Sequence, residues 1–176
     1  MRSIKNLIRI IPDFPKKGVL FRDITPLLAE GSAFVKVINM FAKETPSSVS
    51  KIVGIESRGF IFGGGLASIL KIGFVPIRKK EKLPGKTIKV DYDLEYGTDS
   101  LEIHQDAIKK GEKVILIDDL LATGGTASAS AKLIEKCGGE VVKMLFLMEL
   151  EELAGRDKLS NYDILETNNI TLYPNP

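Results

Sequence analysis

From residue 51 onward, short apolar runs alternate with stretches of helical spacing. Apolar runs at 51–55, 74–78, 113–117 and 141–148 predict strands, and residues 59–71 and 126–137 predict helices. Alternation of this kind favours a parallel sheet that is covered on both faces. We therefore predict an α/β fold with a central parallel sheet flanked by helices.

Two further segments, 87–94 and 101–104, alternate polar and apolar residues as half-exposed strands do. Residues 95–100 are expected to turn the chain and 118–125 to form a loop. A short helix and a final strand near 162–166 would complete the chain. Three consecutive glycines, 63–65, each cost a helix about 1 kcal/mol relative to alanine, so we expect them to serve close packing.

The first 31 residues follow a different pattern. Isoleucine and leucine at positions 4, 7, 8 and 11 predict an amphipathic helix that begins after Ser3 and ends at Pro12. Residues 12–31 are rich in proline and glycine yet contain several large apolar side chains. We interpret this stretch as an ordered segment on the protein surface, followed by a second helix over 33–44.

Composition sets limits on function. A length of 176 residues corresponds to about one domain, so we expect residues 1–176 to form a single domain. A formal net charge of +2 argues against a general binder of nucleic acid or membranes. The single cysteine is typical of a reducing compartment, and no apolar run is long enough to span a membrane. We expect a cytoplasmic protein.

The most informative segment is VILIDDLLATGGT, residues 114–126. Backbone N–H groups, hydroxyls and a helix N-terminus at Ala122-Thr123-Gly124-Gly125-Thr126 suit a phosphate group. Asp118 and Asp119 suit the hydroxyls of a sugar, or a metal held through water. Alternatively, the acidic pair is an exposed corner of an ordinary strand–turn–helix. The sequence contains no P-loop motif and no strand followed by GxGxxG.

This segment resembles the phosphoribosyl-pyrophosphate signature of type I phosphoribosyltransferases. Four other stretches resemble adenine-specific members of that family in the same order: PDFPKKGVLFRDITPLL, GIESRGFIFG, IRKKEKLPG and DLEYGTDSLEI. The resemblance implies a hood over residues 1–31 and transfer of a phosphoribosyl group from phosphoribosyl pyrophosphate to adenine. The products would be AMP and pyrophosphate, in purine salvage. It also implies Mg²⁺ as cofactor and a homodimer.

The resemblance assigns roles to particular residues. It places the 5′-phosphate on Ala122, Thr123, Gly124, Gly125 and Thr126, and the ribose on the catalytic pair Asp118 and Asp119. It places the pyrophosphate on Ser57 and Arg58, and on Arg78, Lys79 and Lys82, which would reach the neighbouring subunit. An always-charged, forked guanidinium suits that polyanion. Otherwise the basic run is a solvated face.

The resemblance also implies a mobile catalytic loop and a base-binding hood. Glu95 would be the acid–base group acting on the purine, next to Tyr96, in a loop that excludes water. Leu20, Phe21 and Arg22 would bind adenine. The alternatives are an exposed glutamate and a core aromatic. No protein ligand for Mg²⁺ is assigned, because substrate oxygens and water are expected to supply most of them.

Two rival functions remain at this point. One is a phosphoribosyltransferase that acts on hypoxanthine, guanine or xanthine. The other is a regulator that senses phosphoribosyl pyrophosphate without catalysis. A regulator would need a DNA-binding element, and the first ~30 residues carry no helix-turn-helix pattern or basic stripe.

Overall fold

The computed structural model describes residues 3–93 and 98–166. The chain forms two compact units, residues 1–40 and 41–176, with the boundary inside one helix. The expected hood, residues 1–31, lies within the first unit. Among the described residues, no helix is both long enough and apolar enough to cross a membrane.

The first unit begins with a 3-10 helix, Ile4–Leu7, and a two-stranded antiparallel sheet of β1 (Arg9–Pro12) and β2 (Leu20–Asp23). The short helix α1 (Thr25–Ala29) and the start of α2 (Gly31–Glu44) follow. The Asp23 carboxylate accepts hydrogen bonds from the Thr25 backbone N–H at 2.8 Å and from Arg9, and so joins the sheet to α1.

The predicted N-terminal helix is wrong beyond Leu7. Ile4, Leu7 and Ile8 are buried as the helical spacing requires, but Ile11 lies in β1, opposite Phe21. Ser3 makes no side-chain cap, and Pro12 ends a strand. Pairing with β2 overrides the helical pattern, because four apolar residues fit either structure over so short a length.

The second unit contains a seven-stranded sheet among the described residues, in the order β5-β6-β4-β3-β7-β8-β9. Its strands are β3 (Lys51–Ile55), β4 (Gly73–Lys79), β5 (Thr87–Asp93), β6 (Thr98–His104), β7 (Lys113–Leu121), β8 (Glu140–Glu149) and β9 (Ile164–Glu166). Its helices are α3 (Gly59–Leu70), α4 (Gly125–Lys136) and two 3-10 helices, Glu151–Leu153 and Gly155–Leu159.

The predicted α/β class and the helices flanking the sheet are confirmed. Strands β4, β3, β7, β8 and β9 are parallel, whereas β5 and β6 form an antiparallel hairpin that joins the edge of β4. The sheet is thus mixed, not wholly parallel. Its centre is fully apolar, since Ile52, Val53, Ile115 and Leu116 are all 0% exposed.

The side of the sheet to which successive strands are added reverses at the middle of the sheet. The unit β3-α3-β4 proceeds to one side, and the unit β7-α4-β8 proceeds to the other. Because parallel crossovers are right-handed, the two helices cover opposite faces. The junction of β3 and β7 is therefore a topological switch point, where ligands bind beyond the carboxyl ends of strands.

Two strands, β6 and β7, extend three or four residues beyond their predicted ends. β7 continues through Asp118 to Leu121, because β8 supplies partners up to Glu149, so the expected loop begins only at Ala122. β6 begins at Thr98, where Thr98 pairs with Asp93 of β5, so the expected turn over 95–100 is too long.

Close packing was expected for the three consecutive glycines of α3. Of Gly63 and Gly64, only Gly63 is closely packed. A Cβ at Gly63 would lie 2.6 Å from the ring of Phe74, so a larger residue would clash there. Gly64 has nothing within 4 Å of the same position. Packing therefore explains Gly63 and leaves Gly64 without a structural reason.

Candidate active site

The candidate phosphate loop lies between the end of β7 and α4. Gly124 is the residue before α4. Its φ is +74°, a backbone conformation that residues other than glycine rarely adopt. The Gly124 carbonyl accepts the Ser128 N–H at 2.9 Å, and the helix begins at Gly125, one residue before its predicted start at Thr126. Residues 122–126 therefore bring the free N–H groups of a 12-residue helix to this edge of the sheet.

The backbone at Gly155 packs against this phosphate loop. A Cβ on Gly124 would overlap with the carbonyl of Gly155, and a Cβ on Gly155 would overlap with that of Ala122. On either side of Gly155, the buried Glu149 pairs with Arg156 at 2.8 Å, and the Leu150 N–H bonds to Leu121 O at 2.8 Å. The role of Gly155 could not be predicted from the sequence, because it depends on a contact with residues about thirty positions earlier in the chain.

The acidic pair, Asp118 and Asp119, lies near the carboxyl end of β7. Asp119 is buried, with 2% exposure, and its Oδ2 lies 3.0 Å from Nε of Arg58. Asp118 Oδ1 accepts the backbone N–H of Asp119 at 2.9 Å. Burial, followed by the charge of Asp119, raises the pKa of Asp118 well above its usual value. Burial also raises the pKa of Asp119, and the Arg58 guanidinium limits that rise.

Contact between α3 and β7 brings these charges together. A Cβ at Gly59, the first residue of α3, would lie 2.6 Å from Ile117 O and 3.1 Å from Asp118 Oδ1. A glycine is therefore needed there for the helix to start beside the acidic pair. As a result Arg58, predicted to bind pyrophosphate, lies beside Asp119, predicted to face the ribose.

Glu56 was not singled out by the sequence analysis. It is the first residue after β3, and its side chain is 9% exposed. It accepts from Lys82 Nζ at 2.8 Å, from the Lys79 backbone N–H at 2.8 Å, and from Arg78 at 3.4 Å. Burial raises the pKa of Glu56, but Lys82, Lys79 and Arg78 together lower it to about 2. The sequence around Glu56 carries no signal of this role, because its partners lie more than twenty residues further along the chain.

The predicted cations of the basic loop are thus brought to the turn that carries Ser57 and Arg58. Arg78 and Lys82 contact Glu56 through their side chains. The Lys79 Nζ lies 3.3 Å from Oδ2 of Asp99 on β6. Ser57 is exposed at the tip of the turn.

A tyrosine connects the hairpin to the phosphate loop. The Tyr92 hydroxyl lies 3.3 Å from Asp99 Oδ2 and within hydrogen-bonding reach of Thr126. Burial raises the pKa of Tyr92, which keeps it a neutral hydrogen-bond donor. The predicted acid–base group, Glu95, and its neighbour Tyr96 lie outside the described residues.

The predicted base-binding residues lie on β2 of the first unit. Leu20 is exposed, Phe21 is half-buried and Arg22 is buried. The rings of Phe21 and the exposed Phe14 pack edge to face, with centroids 5.1 Å apart. Because β2 pairs with β1 alone in this two-stranded sheet, its outer edge presents backbone N–H and C=O groups.

The described residues contain no group of three or more histidine, cysteine, aspartate or glutamate side chains arranged to hold a metal ion. The carboxylates at the end of β7, Asp118 and Asp119, are oxygen donors of the kind that Mg²⁺ prefers. Asp119 already has Arg58 as a partner. Within residues 3–93 and 98–166, the end of β7 thus offers two carboxylates to a metal ion.

Comparison with known proteins shows the family of this chain. The sequence model of the phosphoribosyl transferase domain family matches residues 27–171. The adenine phosphoribosyltransferase of Christiangramia forsetii is 60% identical over 163 residues, which cover 92% of this chain and 95% of the relative.

Solved structures agree with the sequence comparison. The adenine phosphoribosyltransferase of Thermoanaerobacter pseudethanolicus superposes with a TM-score of 0.89 at 54% identity, covering 93% of this chain and 96% of its own. The Saccharomyces cerevisiae enzyme, crystallised with an imino-altritol bisphosphate and adenine, gives 0.89 at 41% identity, covering 94% and 96%.

Proposed function

The chain belongs to the phosphoribosyl transferase family, and we propose that it transfers the 5-phosphoribosyl group of 5-phospho-α-D-ribose 1-diphosphate to adenine. The products are AMP and pyrophosphate, and the reaction serves purine salvage. The observation that carries this proposal is the placement of Arg58, the acidic pair and the phosphate loop at one switch point of the sheet. The Christiangramia forsetii and Thermoanaerobacter pseudethanolicus enzymes, which are 60% and 54% identical to this chain, support adenine as the base.

The 5′-phosphate binds at Ala122–Thr126. The N–H groups at the start of α4 donate to phosphate oxygens, and the helix dipole favours a negative charge there. The hydroxyls of Thr123 and Thr126 add donors. Gly155 keeps the loop in this conformation from the opposite side.

Bond cleavage at the anomeric carbon gives the ribose cationic character. The carboxylates of Asp118 and Asp119, fixed at the end of β7, stabilise that positive charge more than they stabilise the neutral ground state. The developing cation in turn favours the ionised form of Asp118, whose pKa is raised in the free protein.

The leaving pyrophosphate needs positive charge. Arg58 supplies it from the turn after β3. Arg78, Lys79 and Lys82, at the end of β4 and in the turn that follows, supply it to the pyrophosphate of the neighbouring subunit. We propose Mg²⁺ as cofactor. Asp118 and Asp119 would hold it through water, and the ion would supply positive charge to the pyrophosphate.

Adenine binds against Phe21 and Leu20, and the backbone of Arg22 on β2 donates to and accepts from its edge. Glu95 exchanges a proton with the purine ring, and Tyr96 closes with it over the reactants. Exclusion of water by this closure protects the reactive sugar from hydrolysis.

We also propose a homodimer and a cytoplasmic location. Ile61 and Ile69, two turns apart on α3, are 42% and 48% exposed, an apolar face suited to a second copy of the chain. A single cysteine favours a reducing compartment. A shared site is tested by mixing Arg58→Ala and Lys82→Ala subunits: a mixed dimer regains one intact site. No recovered activity after verified subunit exchange would exclude the shared site.

The activity itself is tested by AMP formation from adenine and phosphoribosyl pyrophosphate, with and without Mg²⁺. We expect AMP and pyrophosphate in equal amounts, and a large loss on chelation. No AMP with adenine but turnover of hypoxanthine or guanine would assign a different base. Binding of phosphoribosyl pyrophosphate with no turnover of any purine would favour a non-catalytic sensor.

A further inference from the structure

The Glu56 side chain, in the turn after β3, contacts three residues of the basic segment that follows β4. Its two oxygens accept from Lys82 Nζ, from the Lys79 backbone N–H and from both Nε and Nη2 of Arg78. Buried carboxylates are stable only when such donors replace water. The cluster is therefore a built arrangement of one anion with two cations.

The backbone on both sides of the cluster is fixed. The Glu56 N–H bonds to Ile77 O at 3.0 Å, which extends the pairing of β3 with β4. On the other side, Arg78 Nη1 donates to Lys82 O at 3.1 Å, and the Lys82 N–H bonds to Lys79 O at 3.3 Å. The basic segment 78–82 is thus a closed turn, and Glu56 is its common anchor.

The partners of Glu56 are the cations that the proposed function assigns to pyrophosphate. Glu56 precedes Ser57 and Arg58 directly, so its position is tied to the same turn. At neutral pH Glu56 is ionised, since its pKa is about 2. A persistent charge at this position orients both cationic side chains before substrate arrives, which lowers the ordering cost of binding.

We propose that Glu56 is a positioning residue, which holds Arg78 and Lys82 in the arrangement that receives the pyrophosphate of the substrate. This inference rests on the proposed function and deepens it. It assigns to Glu56 no contact with substrate, because an anion there would repel pyrophosphate. Its effect passes through the two cations.

The chain offers a matched control in Glu112. This carboxylate also accepts from a lysine, Lys51 Nζ at 2.7 Å, and from a backbone N–H, that of Lys109 at 2.7 Å. It precedes β7, at the amino end of the parallel strands, whereas Glu56 follows β3 at their carboxyl end. Loss of either carboxylate removes a similar set of contacts, but only one set belongs to the site.

The test compares Glu56→Gln with Glu112→Gln in steady-state kinetics and in calorimetry with inorganic pyrophosphate. For Glu56→Gln we expect KM for phosphoribosyl pyrophosphate and Kd for pyrophosphate to rise about tenfold, with KM for adenine changed by less than about twofold. Glu112→Gln lowers the melting temperature and leaves both pyrophosphate values unchanged. Glu56→Asp, which keeps the charge with a shorter reach, gives a smaller increase and serves if the amide variant does not fold.

Coupling is measured in the background of Lys82→Met. If Glu56 acts through Lys82, Glu56→Gln weakens pyrophosphate binding less in that background than alone. The inference is overturned if pyrophosphate binding in Glu56→Gln is unchanged or tighter, or if the two substitutions are fully additive. Wild-type AMP formation tests the activity separately, so failure of the inference and failure of the proposed function are distinguishable.

Discussion

Gly124 and Gly155 are packed backbone to backbone, and a Cβ on either residue would overlap with a carbonyl of the opposing segment. The two lie on separate elements, the phosphate loop and the 3-10 helix after β8. The shape of the phosphate loop is therefore set partly by a residue that need not touch substrate.

Gly155→Ala should displace the phosphate loop. The added methyl meets the Ala122 carbonyl, so we expect KM for phosphoribosyl pyrophosphate to rise and the free energy of unfolding to fall by about 1–3 kcal/mol. Steady-state kinetics and thermal denaturation measure both effects. The control is Gly64→Ala, where a Cβ meets nothing within 4 Å and helix propensity predicts equal or higher stability. Equal behaviour of the two variants would contradict the packing argument.

Asp118→Asn and Asp119→Asn should each lower kcat more than they weaken substrate binding. Each removes charge directed at a cation that exists mainly in the transition state, a loss of about 2–4 kcal/mol. Single-turnover rates separate chemistry from product release. Near-wild-type kcat in both variants would refute the role of the pair.

The same Asp118→Asn variant should be more stable than the wild type at neutral pH. Because the pKa of Asp118 is raised in the folded state, its ionisation costs stability as the pH rises above the ordinary pKa of an unfolded aspartate. An amide keeps the acceptor for the Asp119 N–H and removes that cost. We expect the melting temperature of the variant to exceed that of the wild type at pH 7 and the gap to close in acid. A gap that widened in acid would contradict the assigned shift.

Base choice should be strict if the backbone of Arg22 recognises adenine. Hypoxanthine reverses donor and acceptor on the edge that adenine presents, at about 2–6 kcal/mol for two buried mismatches. Discrimination in kcat/KM should therefore range from roughly 30-fold to above 10⁴-fold. Replacing the Arg22 side chain should leave the preference intact. Hypoxanthine within about tenfold of adenine would indicate a broader purine specificity.

Periodicity was sufficient to predict the parallel core, since β3 and β7 are apolar runs too short for helices. It failed at Ile11, where pairing with Phe21 across a loop decides the structure. It also placed the end of β7 too early, because Asp118 looks like a loop residue until β8 is known to pair beside it.

The same distinction applies to the site. The phosphate loop is local, so its glycines and hydroxyls could be predicted from adjacent letters of the sequence. Glu56 and Gly155 act through partners more than twenty residues away, Lys82 and Gly124 among them. Contacts of that range leave no pattern in a single sequence.

The order of strands in the sheet has a consequence for synthesis of the protein. β3 lies between β4, which follows it directly, and β7, which begins only at Lys113. A nascent chain that has left the ribosome up to β6 contains the turn of Arg58 but lacks Asp119. In that chain, the edge of β3 that later pairs with β7 has no partner strand. Such long-range parallel pairing forms slowly. The centre of the sheet and the reactive centre of the enzyme are thus completed by the same late strand.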